Sequence, residues 1–164
     1  MMDINNYLLE RGESDWAALL ADWNWILPVR FTLWLVNRYG DLFLVLPEDG
    51  AVCMLDVGAG TLRRIAHSQE DFDARLRQDN NANEWLMMPL VDDCVAAGLT
   101  LTPGHCYGFK QAPALGGAYE VANTEVVDLY THYSVLGQLH AQVWETLPGS
   151  AHPDTAPDAA AEEE

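Results

Sequence analysis

Basic residues are scarce in this chain. Eight Lys and Arg stand against twenty-five Asp and Glu in 164 residues, a formal net charge of -17 at pH 7. A field of that sign repels nucleic-acid phosphates and anionic lipid, so neither is expected as a partner, and it attracts a basic protein. Cysteine is also sparse. Cys53, Cys94 and Cys106 form an odd set without a CxxC pair, against both a disulfide framework and a structural zinc site; free, buried thiols are expected. No apolar run approaches the ~18 residues of a spanning helix. The opening residues Met1 to Asn6 carry no basic cluster of the kind that begins a signal peptide, so a cytoplasmic protein is expected. The stretch 149–164 has neither aromatic nor branched aliphatic side chains. Such a segment cannot offset its ordering entropy and is expected to be a disordered acidic tail.

What remains, 1–148, is rich enough in apolar residues to bury one core. Trp16, Leu19, Leu20 and Trp23 recur at helical spacing behind Ser14 or Asp15, which predicts a first helix from Asp15 to Ile26, ended by Pro28. The texture then changes to short β-prone runs, FTLWLV, LFLVL, VCMLDV and TLRRIA, separated by turn residues at Gly40, Asp49-Gly50 and Gly58 to Gly60. Links this short cannot hold a crossover helix, so the runs predict an antiparallel meander. Ser68 and Asp71 have capping-box spacing, and Phe72 and Leu76 form an i,i+4 pair on the helix that follows. Asp79 to Asn83 reads as a polar loop. The stripes Leu86/Leu90/Cys94 and Met87/Val91/Val95 predict one helix from Glu84 to Ala97, with Pro89 in its first turn or kinking it and Gly98 at its end. Strands are expected around Cys106 to Lys110 and Glu125 to Leu129, then a helix from Thr131 to Thr146. The fold class is α+β: an antiparallel meander sheet packed by N-terminal, central and C-terminal helices.

Several residues invite a chemical reading. The run MLDVGAGT resembles the glycine loop of S-adenosylmethionine-binding enzymes, in which Gly58 and Gly60 would let the backbone approach a cofactor. Here it lies among hairpins rather than between a strand and a helix, and a tight turn accounts for both glycines. A methyltransferase-like enzyme is therefore the alternative reading, and no cofactor is expected. His132 and His140 lie eight residues apart, about 12 Å along a helix axis, too far to share a metal ion. His105 and Cys106 are strand neighbours that point to opposite faces and have no third group to orient them. Carboxylate pairs such as Asp92-Asp93 read as solvated surface, and no catalytic residue is assigned. Arg63 and Arg64 read as intramolecular counter-ions. Of the six tryptophans, Trp25 falls off the first helix's apolar stripe and is the candidate exposed anchor.

The segments CYGFK at Cys106 to Lys110, ALGG at Ala114 to Gly117, Val121-Ala122-Asn123, EVVDLYTH at Glu125 to His132 and SVLGQLH at Ser134 to His140 form a longer pattern. Together with the meander they resemble, over about residues 39–143, the C-terminal domain of immunity proteins that bacteria encode beside type VI secretion DNase effectors. The resemblance implies a fold related to the SUKH immunity superfamily and a protein that neutralises a cognate toxin, a secreted nuclease, by direct binding without catalysis. It implies a scaffold, not a contact surface. Some relatives carry a longer N-terminal domain, of which residues 1–38 would be a reduced form. A non-toxin adaptor of the same superfamily is the further alternative. Charge places the expected partner contact on Glu48, Asp49, Glu70, Asp71, Asp73, Asp92 and Asp93.

Overall fold

The structure, a computed structural model, describes residues 4–12 and 14–146. The expected acidic tail falls outside them.

A four-stranded antiparallel sheet in the order β1-β2-β3-β4 is the centre of the fold: β1 Thr32–Val36, β2 Leu42–Val45, β3 Val52–Asp56 and β4 Thr61–Ala66. It is the meander that the four apolar runs predicted. Side-chain alternation gives the sheet two buried faces. Leu42, Leu44, Cys53 and Leu55 point to one side, where they meet Trp23 and Tyr133. Phe43, Val52 and Met54 point to the other, against Phe72, Leu76 and Trp85. Helices cover both faces, which is why β2 and β3 read as unbroken apolar runs.

The first face is covered by the N-terminal segment and α5 (Leu129–Thr146). The N-terminal helix is shorter than its periodicity predicts: α1 spans Trp16–Leu19, capped by Asp15, and a 3-10 turn follows over Ala21–Trp23. The tighter turn brings backbone against backbone. A Cβ at Gly137 of α5 would sit 2.7 Å from the Asp22 carbonyl oxygen, so only glycine allows this approach. Trp25 is not an exposed anchor. It stacks on Trp23 at 5.9 Å between ring centroids and meets Trp144 at the same distance, extending the core rather than facing solvent.

The second face is covered by α2 (Gln69–Leu76) and α3 (Asn81–Trp85). Ser68 caps α2 by accepting from the Asp71 amide at 3.0 Å, while the Asp71 carboxylate accepts from the His67 amide at 2.8 Å. Ser68→Ala should lower unfolding stability by about 1 kcal/mol, read as a drop in urea midpoint with an unchanged slope. Phe72 then stacks on Trp85 at 5.4 Å and meets Trp34 and Phe43 edge-on.

Two expectations fail at this point. Asp79 to Asn83 is not all loop, since Asn81 starts α3. The helix expected from Glu84 to Ala97 is two helices, α3 and α4 (Met88–Ala96), separated at Leu86 and Met87, where Met87 takes a left-handed φ of 51°. Pro89 explains the break. It has no N–H to bond the Trp85 carbonyl four residues back, and its ring would collide with that carbonyl in a continuous helix. The released Trp85 oxygen accepts instead from Asn37 Nδ2 at 2.9 Å.

The remaining strands, β5 (His105–Phe109) and β6 (Thr124–Asp128), form a separate antiparallel ribbon with Cys106 opposite Val127. Tyr107 and Tyr39 pack with Leu90, Val91 and Cys94 of α4, and Tyr107 N donates to the Arg38 carbonyl at 2.8 Å, joining ribbon to meander. All three cysteines are buried thiols, as expected.

Candidate functional site

Between the end of the sheet, the α3–α4 corner and the β5–β6 ribbon lies a cleft of about 820 Å³. Its size is that of a site for a small molecule or a few side chains of a partner. Its base is built on Asn37, which is fully buried and uses all four hydrogen-bonding positions. The Oδ1 atom accepts from the amides of Tyr39 and Asp41, and Nδ2 donates to Asp41 Oδ2 and to the carbonyl freed by Pro89.

Asn37 thereby fixes Asp41, whose other oxygen accepts from the Val57 amide at 2.9 Å. Burial pushes the Asp41 carboxyl well above the usual carboxylate range, and the nearby Asp56 carboxylate pushes the same way; its hydrogen bonds and Arg63 act in opposition. Asp56 ends β3 and accepts from the Ala59 amide at 3.0 Å, closing the hairpin turn. Tyr119 stands across the cleft, its phenol raised by burial and then by Asp56 and Asp41.

The outer wall is the loop from Lys110 to Glu120, which side-chain bonds hold in one shape. Asn123 accepts from the Gln111 amide and donates to the Gln111 and Ala118 carbonyls, each at 2.9 Å. Gln111 Nε2 donates to the Leu115 carbonyl. Gly117 lies so close beneath that an added Cβ would be 1.8 Å from the Gln111 oxygen. This braced loop leaves Leu115 and Tyr119 56% and 55% exposed beside Val135 of α5, 59% exposed.

Two buried histidines seat α5 on the sheet. His132 Nε2–H donates to the Tyr39 carbonyl and His140 Nε2–H to the Val57 carbonyl, both at 3.0 Å. They bond separate backbone groups, and the described residues contain no cluster of three or more groups that could hold a metal ion. Burial lowers the His132 pKa to about 4 and lowers that of His140 as well. His140 also accounts for Gly60, where a Cβ would lie 2.6 Å from its Nδ1. The GAG sequence is thus a hairpin turn between β3 and β4 pressed against α5, without the strand-to-helix geometry of a nucleotide loop.

The acids singled out by charge lie elsewhere, on three separate elements, and none lines the cleft. Glu48 and Asp49, on the β2–β3 turn, pair with Arg30 and Arg64 at 2.9 and 2.8 Å. On α2, Asp71 pairs with Arg75 and Asp73 with Arg77. The Arg64 guanidinium holds the Asp49 carboxyl below its usual range, and the His67 amide followed by Arg75 does so for Asp71. On α4, Asp92 accepts from the Tyr7 hydroxyl at 2.9 Å. Glu70 and Asp93 make no ion pair among the described residues. Much of this expected surface is therefore already engaged by the chain's own cations and hydroxyls. Arg64 is the counter-ion of Asp49, and Arg63, which faces the cleft, acts on the Asp41 carboxyl there. His105 and Cys106 form no dyad: Cys106 is buried, and its thiol is pushed up by that burial, while His105 Nδ1 lies near Thr102 and the Pro103 carbonyl.

The motif Cys106 to His140 supplies β5, the braced loop, β6 and the inner half of α5, so it forms the ribbon, loop and helix side of the cleft. Residues 66–140 match the family model of the T6SS immunity protein Tdi1, C-terminal. The resemblance to type VI secretion immunity proteins thus holds over that stretch, which starts at the last residue of β4. The Tdi1-like stretch carries α2 to α4, the ribbon and most of α5; the meander before Ala66 lies outside it. A comparison with curated proteins returned no match. No helix among the described residues is long and apolar enough to cross a membrane.

The base of the cleft was hidden from sequence reasoning. Asn37 and Asp41 look like turn residues around Gly40, and nothing local tells that the carbonyl freed at Trp85 meets Asn37.

Proposed function

We propose that this chain is an immunity protein that neutralises a cognate type VI secreted toxin, a nuclease, by binding it directly in the cytoplasm, with no catalysis of its own. The observation that carries the reading is the match of residues 66–140 to the Tdi1 C-terminal family. The net charge of -17 supports a basic partner, because a nuclease groove that accepts phosphates is itself positive. We further propose that 1–148 acts as one unit. Its support is the mixed core, in which Trp23, the sheet and Tyr133 pack together on one face.

Co-expression tests the reading. Cells producing the toxin encoded by the neighbouring reading frame should grow when this chain is also produced and arrest when it is not. Equal arrest in both would contradict it. The methyltransferase alternative has no geometric support here, since Gly58 and Gly60 sit in a hairpin closed on His140.

A further inference from the structure

We propose that the cleft, rather than the exposed acids of α2, α4 and the β2–β3 turn, is the docking site, and that it takes a partner segment carrying an Arg or Lys beside a bulky apolar side chain. This rests on the toxin-binding reading and names where and through what chemistry the partner is held.

Two features set the apolar half. Leu115, Tyr119 and Val135 are large side chains left more than half exposed around one opening. The loop that carries the first two is braced by Asn123 and Gln111, so the apolar surface is preformed and little ordering cost attends its use. Exposed apolar surface gathered around a cavity marks an interaction site, whereas scattered residues such as Val29 need no explanation.

Charge sets the other half. Four carboxylates line the cleft, Asp41, Asp56, Glu84 and Glu125, against two cations, Arg63 and Lys110. The excess stays negative even with Asp41 counted as protonated. Asp41 and Asp56 place two carboxyl groups at the base of the cleft, held there by the Val57 and Ala59 amides. A cationic head entering there meets opposite charge in a partly desolvated site, while its apolar neighbour covers Tyr119 and Val135. Arg63 and Lys110 make no ion pair with a carboxylate among the described residues, so an anionic ligand is the competing occupant that a test must separate.

The test has two arms. In the first, the purified full chain is titrated with benzamidine, benzoate and benzyl alcohol, three aromatic probes of different charge, and followed by NMR. Benzamidine should bind at least about tenfold more tightly than benzoate, with shifts centred on Tyr119 and Val135. Asp56→Asn, which keeps the acceptor for the Ala59 amide, should remove most of that preference. Tighter binding of benzoate, or binding of neither ion, overturns the proposal.

In the second arm, affinity for the neighbouring toxin is compared between the wild-type chain and Tyr119→Ala/Val135→Ala, with an unchanged circular dichroism spectrum and urea midpoint required of the variant because Tyr119 also meets Phe109 edge-on. The double variant should bind at least about tenfold more weakly. Equal affinity removes the docking site while the toxin-binding reading stands. A wild-type chain that does not bind the toxin at all removes that reading instead.

Discussion

Replacing Trp23 with alanine should lower unfolding stability by about 3–5 kcal/mol, the largest single loss expected in the core. Trp23 is fully buried, its indole N–H donates to the Tyr133 carbonyl at 2.9 Å, and its ring packs on Trp25 and His140. The surroundings cannot collapse into the space. Gly137 and Asp22 already touch backbone to backbone beside it, so α5 has no room to move inward. Chemical denaturation checks the loss. Trp23→Phe should recover much of it by filling volume without the indole donor, and if alanine costs under about 1 kcal/mol the description of this face of the core is wrong.

Acid should loosen the same side of the molecule. His132 keeps its neutral ring until about pH 4, whereas in the unfolded chain it takes up a proton near its ordinary value of 6.5. A histidine depressed in this way contributes stability that is complete above pH 6.5 and is lost as pH falls through that window to about 4. The loss should reach about 2 kcal/mol by pH 5. His140 is lowered too and adds in the same direction. Asp41 acts with the opposite sign. Its raised carboxyl favours the folded state at low pH and loses that contribution as pH rises through its folded value, so it softens the acid loss. Urea unfolding between about pH 7 and pH 5 measures the sum. His132→Gln can keep an N–H donor toward the Tyr39 carbonyl without titrating, and should flatten the slope. An unchanged slope in that variant would show that His132 is not what senses the acid.

The sheet was legible because each of its strands is a short apolar run closed by a turn residue, and hairpin links leave one topology. The two-helix corner was not. Leu86, Leu90 and Cys94 keep a four-residue period across the break, and burial of all three follows from either one helix or two. Pro89 was the signal, but whether it starts a helix or kinks one depends on a partner for the Trp85 carbonyl, and that partner, Asn37, is 48 residues away. The cleft was not legible for a related reason. Net charge directed attention to exposed carboxylates, and a count of charges does not reveal which are already neutralised by Arg30, Arg64, Arg75 and Arg77. Of the four carboxylates that line the cleft, Asp41 and Asp56 end a turn and a strand and carry no local mark. The motif from Cys106 to His140 does run along the cleft: the residues that brace its loop, Gly117 and Asn123, fall within the ALGG and Val121-Ala122-Asn123 segments.

Neutralisation by direct binding is checked by gel filtration of the purified chain mixed with the purified toxin domain, with nuclease activity assayed across the same fractions. One co-eluting complex of fixed stoichiometry is expected, with nuclease activity that falls in proportion to the chain added. Separate elution with undiminished nuclease activity would contradict it.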